Sequence, residues 1–169
     1  MTTKIPVLIV EDEVKQAELI ANYVREAGEY TPIIAHNGLE AFEILRRHRR
    51  FLGFGHNQIK CILLDIRMPQ MDGLEFLKRL RTEEDAIAFH RHIPVVMLTA
   101  YDDPDYTTKS TDPTYGLIAG YLVKPIVPQE LKDTLYRIIA QGDTEFLVEK
   151  TFVKRYPKPG TPELFRDKL

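Results

Sequence analysis

Two kinds of hydrophobic pattern alternate along this chain. Val7-Leu8-Ile9-Val10, Cys61-Ile62-Leu63-Leu64, Val95-Val96-Met97-Leu98 and Tyr121-Leu122-Val123 are unbroken apolar runs. Runs this short, rich in β-branched and aliphatic residues, are strands buried on both faces, as in a parallel sheet. Between them apolar residues recur at helical spacing: Val14, Ala17, Ile20, Val24 and Ala27 form one stripe, closed by Gly28. Asn37, with Glu40 three residues on, caps a second helix carrying Leu39, Ala41, Phe42 and Leu45. Leu74, Leu77 and Leu80 mark a third over residues 73–81, and Pro128 opens a last one through Leu131, Leu135, Ile138 and Ile139 to Gly142. Strands are predicted at 5–10, 31–35, 60–65, 94–99 and 120–124. Alternating β and α elements joined by right-handed crossovers give a doubly wound, three-layer α/β/α fold with a parallel sheet.

Two stretches interrupt the alternation. Residues 101–119 should hold a helix, but they contain Pro104, Pro113 and the polar run Thr107–Asp112. A proline in a helix interior costs about 3 kcal/mol, so a short or irregular helix is expected there. Residues 142–169 follow the last helix. They keep Phe146, Leu147, Val148, Phe152, Val153 and Tyr156, then turn polar around Pro157, Pro159 and Pro162. The period there fits a helix or a strand equally. The expected organisation is one domain over 1–141 and an extension or arm over 142–169, which would pack on its own domain or on a second subunit, making a homodimer one expected use.

Composition narrows the partners. The chain has 169 residues, 44% of them hydrophobic, enough for a real core. Lys and Arg number 23 against 25 Asp and Glu, a net charge of −2. No global positive field favours nucleic acid or a membrane surface. No apolar stretch approaches the roughly 20 residues of a membrane span, and the first residues lack a signal-peptide core. Cys61 is the single cysteine, so no internal disulfide forms. A cytoplasmic protein is expected.

The strand ends carry the chemistry. The four apolar runs lead into Glu11-Asp12, Asp65, Thr99 and Lys124-Pro125. Ligands of such sheets bind just beyond the carboxyl ends of the strands, so three acids, a hydroxyl and an ammonium should meet. Taken singly each has a plainer reading. Glu11-Asp12 serves equally as a helix N-terminus, Asp65 as a turn residue, Thr99 as a strand-end cap and Lys124 as a solvated lysine. Together they crowd three carboxylates around one ammonium. A hard cation such as Mg²⁺, which takes carboxylates, a carbonyl and waters, would supply the missing positive charge.

Four segments in this order, Val10-Glu11-Asp12-Glu13, Asp65-Ile66-Arg67-Met68-Pro69-Gln70-Met71-Asp72-Gly73, Leu98-Thr99-Ala100 and Tyr121-Leu122-Val123-Lys124-Pro125, resemble the receiver domain of two-component response regulators over residues 5–141. The resemblance implies a flavodoxin-like sheet of order 2-1-3-4-5. It implies that Asp65 takes phosphate from a sensor histidine kinase, and that Glu11, Asp12 and Asp65, with the Arg67 carbonyl, hold Mg²⁺. Thr99 and Lys124 would contact the phosphoryl group, Tyr121 would be the switch aromatic that turns inward, and Lys124–Pro125 would be cis. Such a protein is a phosphorylation switch with slow self-dephosphorylation rather than an enzyme. It acts on a downstream protein target, or passes phosphate to a histidine phosphotransfer protein in a phosphorelay.

Other functions fit less well. Mg²⁺-dependent phosphohydrolases with an aspartate nucleophile place a second Asp two residues on, where this chain has Arg67. A flavin phosphate would be repelled by Glu11-Asp12, and the tail is too short and proline-rich for a helix-turn-helix, so direct DNA binding is not expected. The spacing from Asp12 to Asp65 is long for the family. The extra residues are assigned to Arg46–Ile59, where the basic run Arg46–Arg50 reads first as a charged helix end and Phe51–Gly55 as a contact loop. His90 and His92, in a second extension over 82–93, read as solvated. Bulky Arg67 and Tyr101 flank the expected acyl phosphate and would shield it from water. An Arg67→Asn, Tyr101→Glu double variant should therefore lose phosphate faster than wild type, measured as decay of the phosphorylated mass after removal of the donor.

Overall fold

A computed structural model describes residues 4–49, 57–87, 92–100 and 118–142. The strands are β1 (Ile5–Val10), β2 (Tyr30–Ala35), β3 (Cys61–Asp65), β4 (Val95–Ala100) and β5 (Gly120–Lys124). All pair in parallel, in the order β2-β1-β3-β4-β5. The predicted sheet is therefore the observed one. The helices are α1 (Val14–Glu26), α2 (Gly38–Arg47), α3 (Gly73–Asp85) and α4 (Pro128–Leu135), the last continuing as a π-helical turn over Tyr136–Ala140. Expectations for residues 101–117, for the aromatic-glycine loop, for His90 and for the arm beyond residue 142 lie outside the described residues.

Each central strand alternates its side chains between two cores. Leu8, Ile62, Leu64, Val95 and Met97 face Phe42, Leu45, Phe76, Leu77 and Leu80 under α2 and α3. Val7, Ile9, Leu63, Val96 and Leu98 face Ile20, Val24, Leu131 and Leu135 under α1 and α4. Burial on both faces is the reason these strands read as continuous apolar runs. Cys61 lies in the second core, fully buried, with its thiol pushed up to about 12 by desolvation.

Local signals behave as read. Gly28, at φ +113, closes the turn after α1. Asn37 Oδ1 accepts the Glu40 amide at 2.8 Å, and Glu40 Oε2 reaches back to the His36 amide at 2.7 Å. His48 follows α2, its Nδ1 donating to the Ile44 carbonyl at 2.8 Å, so the basic run does begin as a helix end. Beyond it Arg49 pairs with Asn57 as an antiparallel bridge, the Gln58 amide donates to the His48 carbonyl at 3.0 Å, and Asn57 Nδ2 donates to the Leu45 carbonyl at 2.9 Å.

α3 outruns its apolar stripe by a full turn. The added residues include Glu84, buried and joined at 2.6 Å to the buried Arg81. Glu84 Oε1 accepts the Ile93 amide at 2.8 Å, and Arg81 donates to the Ile93 carbonyl at 3.0 Å. Two charged residues thus do a core's work, tying the end of α3 to the entrance of β4. His92 is not simply solvated: its Nε2 lies 2.7 Å from Asp85 Oδ1.

The turn between β3 and α3 brings two backbone segments into close approach. The Gly73 amide donates to the Ile66 carbonyl at 2.8 Å, and Asp72 Oδ1 caps α3 through the Glu75 amide at 2.8 Å. A Cβ on Gly73 would lie 2.9 Å from Ile66 Cα and collide with the Asp65 carbonyl. Both obstacles are backbone and cannot step aside. Gly73→Ala is expected to destabilise the fold by about 3 kcal/mol, read from the urea midpoint, and to displace Asp65 with it.

Candidate functional site

The strand-end rule brings the predicted residues together at the carboxyl edge of the sheet. Val10 pairs with Leu64 and Asp65 with Leu98, while Ala100 pairs with Lys124, so β1, β3, β4 and β5 end side by side. Lys124 Nζ donates to Glu11 Oε2 at 2.7 Å and to Asp65 Oδ1 at 2.8 Å. Glu11, Asp12 and Asp65 each offer an oxygen within 4.8 Å of the others. Among the described residues this is the one such group of acids.

The plainer reading of Glu11-Asp12 as a helix cap does not hold for Glu11. Glu13 is the N-cap of α1 and makes no side-chain cap bond. Glu11 Oε1 takes the Glu13 amide only at a long 3.3 Å, while Oε2 takes the lysine. Glu11 and Asp65 are buried, at 1% and 6% exposure. Asp12 is less enclosed.

Burial sets the electrostatics. Desolvation raises the Asp65 carboxyl above its ordinary value; the Lys124 hydrogen bond opposes this and the Asp12 charge adds to it. Glu11 is raised in the same way, first by desolvation, with Lys124 opposing and Asp65 adding. For Lys124 burial works against the charge, but the bonds to Asp65 and Glu11 outweigh it and hold the ammonium above the ordinary lysine value. Lys124 thus pairs with two of the three acids. The remaining negative charge, on hard oxygen donors, fits a divalent cation such as Mg²⁺.

Thr99 is buried near the end of β4, one residue beyond the register partner of Asp65, and its hydroxyl donates to the Ala100 carbonyl at 3.0 Å. Tyr121 is 6% exposed and belongs to the core under α2 and α3, so its ring already points inward, and desolvation strongly raises its phenol. Arg67 is exposed in the β3–α3 turn, and the Lys124–Pro125 bond is cis. Of the residues expected to flank the site, Tyr101 lies outside the described residues.

His36 was not singled out from the sequence. Its Nδ1 donates to the Glu11 carbonyl at 3.2 Å, and the Glu11 amide donates to the Ala35 carbonyl at 3.0 Å. The acidic turn is thereby held to the end of β2. Applying the strand-end rule to Thr31–Ala35 would have found it. That strand carries Pro32 and polar Thr31, so it lacks the unbroken apolar run that marks the other four.

The family model for the response regulator receiver domain matches residues 7–136. The chain belongs to that family. A Campylobacter jejuni chemotaxis protein CheY homolog is 28% identical over 145 residues, covering 84% of this chain and 98% of that protein. The Klebsiella oxytoca transcriptional regulatory protein ZraR is 31% identical over 137 residues, which is 81% of this chain but 27% of that longer protein. Among solved structures, Vibrio cholerae chemotaxis protein CheY4 superposes with TM-score 0.63 at 29% identity, over 80% of this chain and 98% of that one. Receiver domains act with sensor histidine kinases and are generally signalling switches rather than enzymes. The acidic pocket of this receiver fits such a phosphorylation site. No helix among the described residues is long and apolar enough to cross a membrane.

The raised carboxyls have a stability consequence with a definite sign. A carboxyl that holds its proton more tightly in the folded than in the unfolded chain loses stability as pH rises through the window between the two values. Without metal, Asp65→Asn should therefore raise the melting temperature at pH 7 by a few degrees, about 1 kcal/mol. The advantage should shrink as pH falls toward the ordinary Asp value of 3.8, followed by thermal melts across that range.

Proposed function

We propose that this receiver accepts a phosphoryl group on Asp65 from a phosphohistidine of a sensor kinase and transmits the change through protein contacts. The observation that supports it most is the shared grip of Lys124 on Asp65 and Glu11, with Asp12 alongside. The ammonium orients one Asp65 oxygen and leaves the other to attack. In the transfer that oxygen bonds to phosphorus as the phosphorus–nitrogen bond breaks, and the bonding pair leaves with the imidazole.

Glu11, Asp12 and Asp65 would hold Mg²⁺, with the Arg67 carbonyl as a further ligand. The bound ion would offset the charge between carboxylate and phosphoryl oxygens. Lys124 then exchanges its Asp65 contact for a phosphoryl oxygen. The Thr99 hydroxyl gives up the Ala100 carbonyl for another. A phosphoryl group brings three strong acceptors and about −1.5 to −2 charge, enough to draw Thr99 and the end of β4 inward. Tyr121, on β5 beside Met97 of β4, would follow that movement. The downstream contact is a protein target or a histidine phosphotransfer protein, in a cytoplasmic setting.

Intact-mass spectrometry after incubation with acetyl phosphate and Mg²⁺ tests the assignment. Wild type should gain one phosphate, while Asp65→Asn and wild type in a chelator should gain none. A phosphate that persists in Asp65→Asn would overturn it. Lys124→Arg should keep the fold and lose most of the phosphorylation rate, about tenfold or more, because a forked guanidinium cannot replace a point charge between two carboxylates.

A further inference from the structure

At the end of the sheet away from Asp65, four arginines gather where α2 and α3 finish. Arg46 approaches Glu83 Oε1 at 3.5 Å, Arg79 approaches the same oxygen at 3.5 Å, and Arg49 approaches Glu83 Oε2 at 4.0 Å. Arg47 lies 3.5 Å from Glu43. Among the described residues these four guanidinium groups share two carboxylates, and none of these distances is that of a short charge-assisted bond. Arg79 is also braced over the Phe42 ring, 4.7 Å from its centroid. The Arg49 side chain is 13% exposed, and its buried Nε has no hydrogen-bond partner among the described residues.

Arg46, Arg47 and Arg79 are about half exposed or more, and ion pairs through such side chains contribute little to stability, so these three are poor structural devices. Guanidinium groups held only at long distances, with Arg49 Nε unpartnered among the described residues, are better suited to a ligand. Glu83 shows which chemistry they take, because three forks already converge on one planar carboxylate. We propose that this patch docks a carboxylate-rich segment of a partner protein, with Glu83 holding the arginines in place until the partner's acids replace it. The chain's overall charge of −2 gives no long-range pull on a polyanion such as nucleic acid or an anionic membrane. A short acidic peptide needs only the local excess. Because α2 and α3 run from the phosphoacceptor end to this one, the dock leaves Asp65 open and does not depend on its phosphorylation.

Fluorescence anisotropy with a fluorescein-labelled Glu-Ala peptide on the full chain tests the dock. Oligothymidylate and phosphatidylserine vesicles serve as the comparison ligands. Wild type should bind the peptide in preference to both, and equally well as Asp65→Asn. Arg46→Gln with Arg79→Gln should weaken binding about tenfold, two charge contacts being lost. Glu83→Gln should tighten it several-fold by removing the internal competitor, an outcome that a purely structural cluster would not produce. Absence of peptide binding in both wild type and Glu83→Gln would overturn the proposal. So would indifference to the arginine substitutions, or tighter binding of oligothymidylate or vesicles.

Discussion

A single ammonium group held between buried carboxylates is the contact on which this molecule is organised. Lys124 comes from β5 and its partners from β1 and β3. The ion pairs therefore form only when the order and register of the sheet are correct. Desolvation pushes both carboxyls toward protonation, and the lysine answers only part of the charge. A site arranged this way stores repulsion in the resting protein. That excess of negative charge suits a cation and, on the proposed function, would let an arriving phosphoryl group redistribute contacts.

Support for this contact comes from outside the site. Gly73 lets α3 begin against the backbone of Asp65 and Ile66, and Asp72 caps the helix there. His36 and Ala35 bind both polar groups of the Glu11 peptide. The far end of α3 is moored to Ile93 by Arg81 and Glu84, which sets where β4 enters the sheet and so where Thr99 stands. Backbone positions at the carboxyl edge are thus held by polar contacts along the length of the helices, as preorganised sites require.

Most of this was legible in the residues because the sheet is buried on both faces. An apolar run ending on an acid, a hydroxyl or a lysine marks a strand and its exit at once. The four runs located Glu11, Asp12, Asp65, Thr99 and Lys124 without any side-chain geometry. Where the code is polar, it fails. The last turn of α3 carries buried Glu84, paired with Arg81, which in sequence resembles a solvated surface, so the apolar stripe marks that helix only to 81. The π-helical turn at Tyr136–Ala140 keeps the apolar residues of an ordinary helix and left no mark. His36 and the His92–Asp85 pair depend on contacts between segments, which periodicity does not encode.

The Arg49–Asn57 bridge, with the Gln58 and Asn57 bonds beside it, closes the chain on either side of residues 50–56 at one point. Those contacts hold the end of α2 to the approach of β3 independently of what lies between them. The fold thereby has a splice junction. Surface junctions of this kind tolerate changes in length and composition, and this one is remote from the strand ends that carry Glu11 and Asp65.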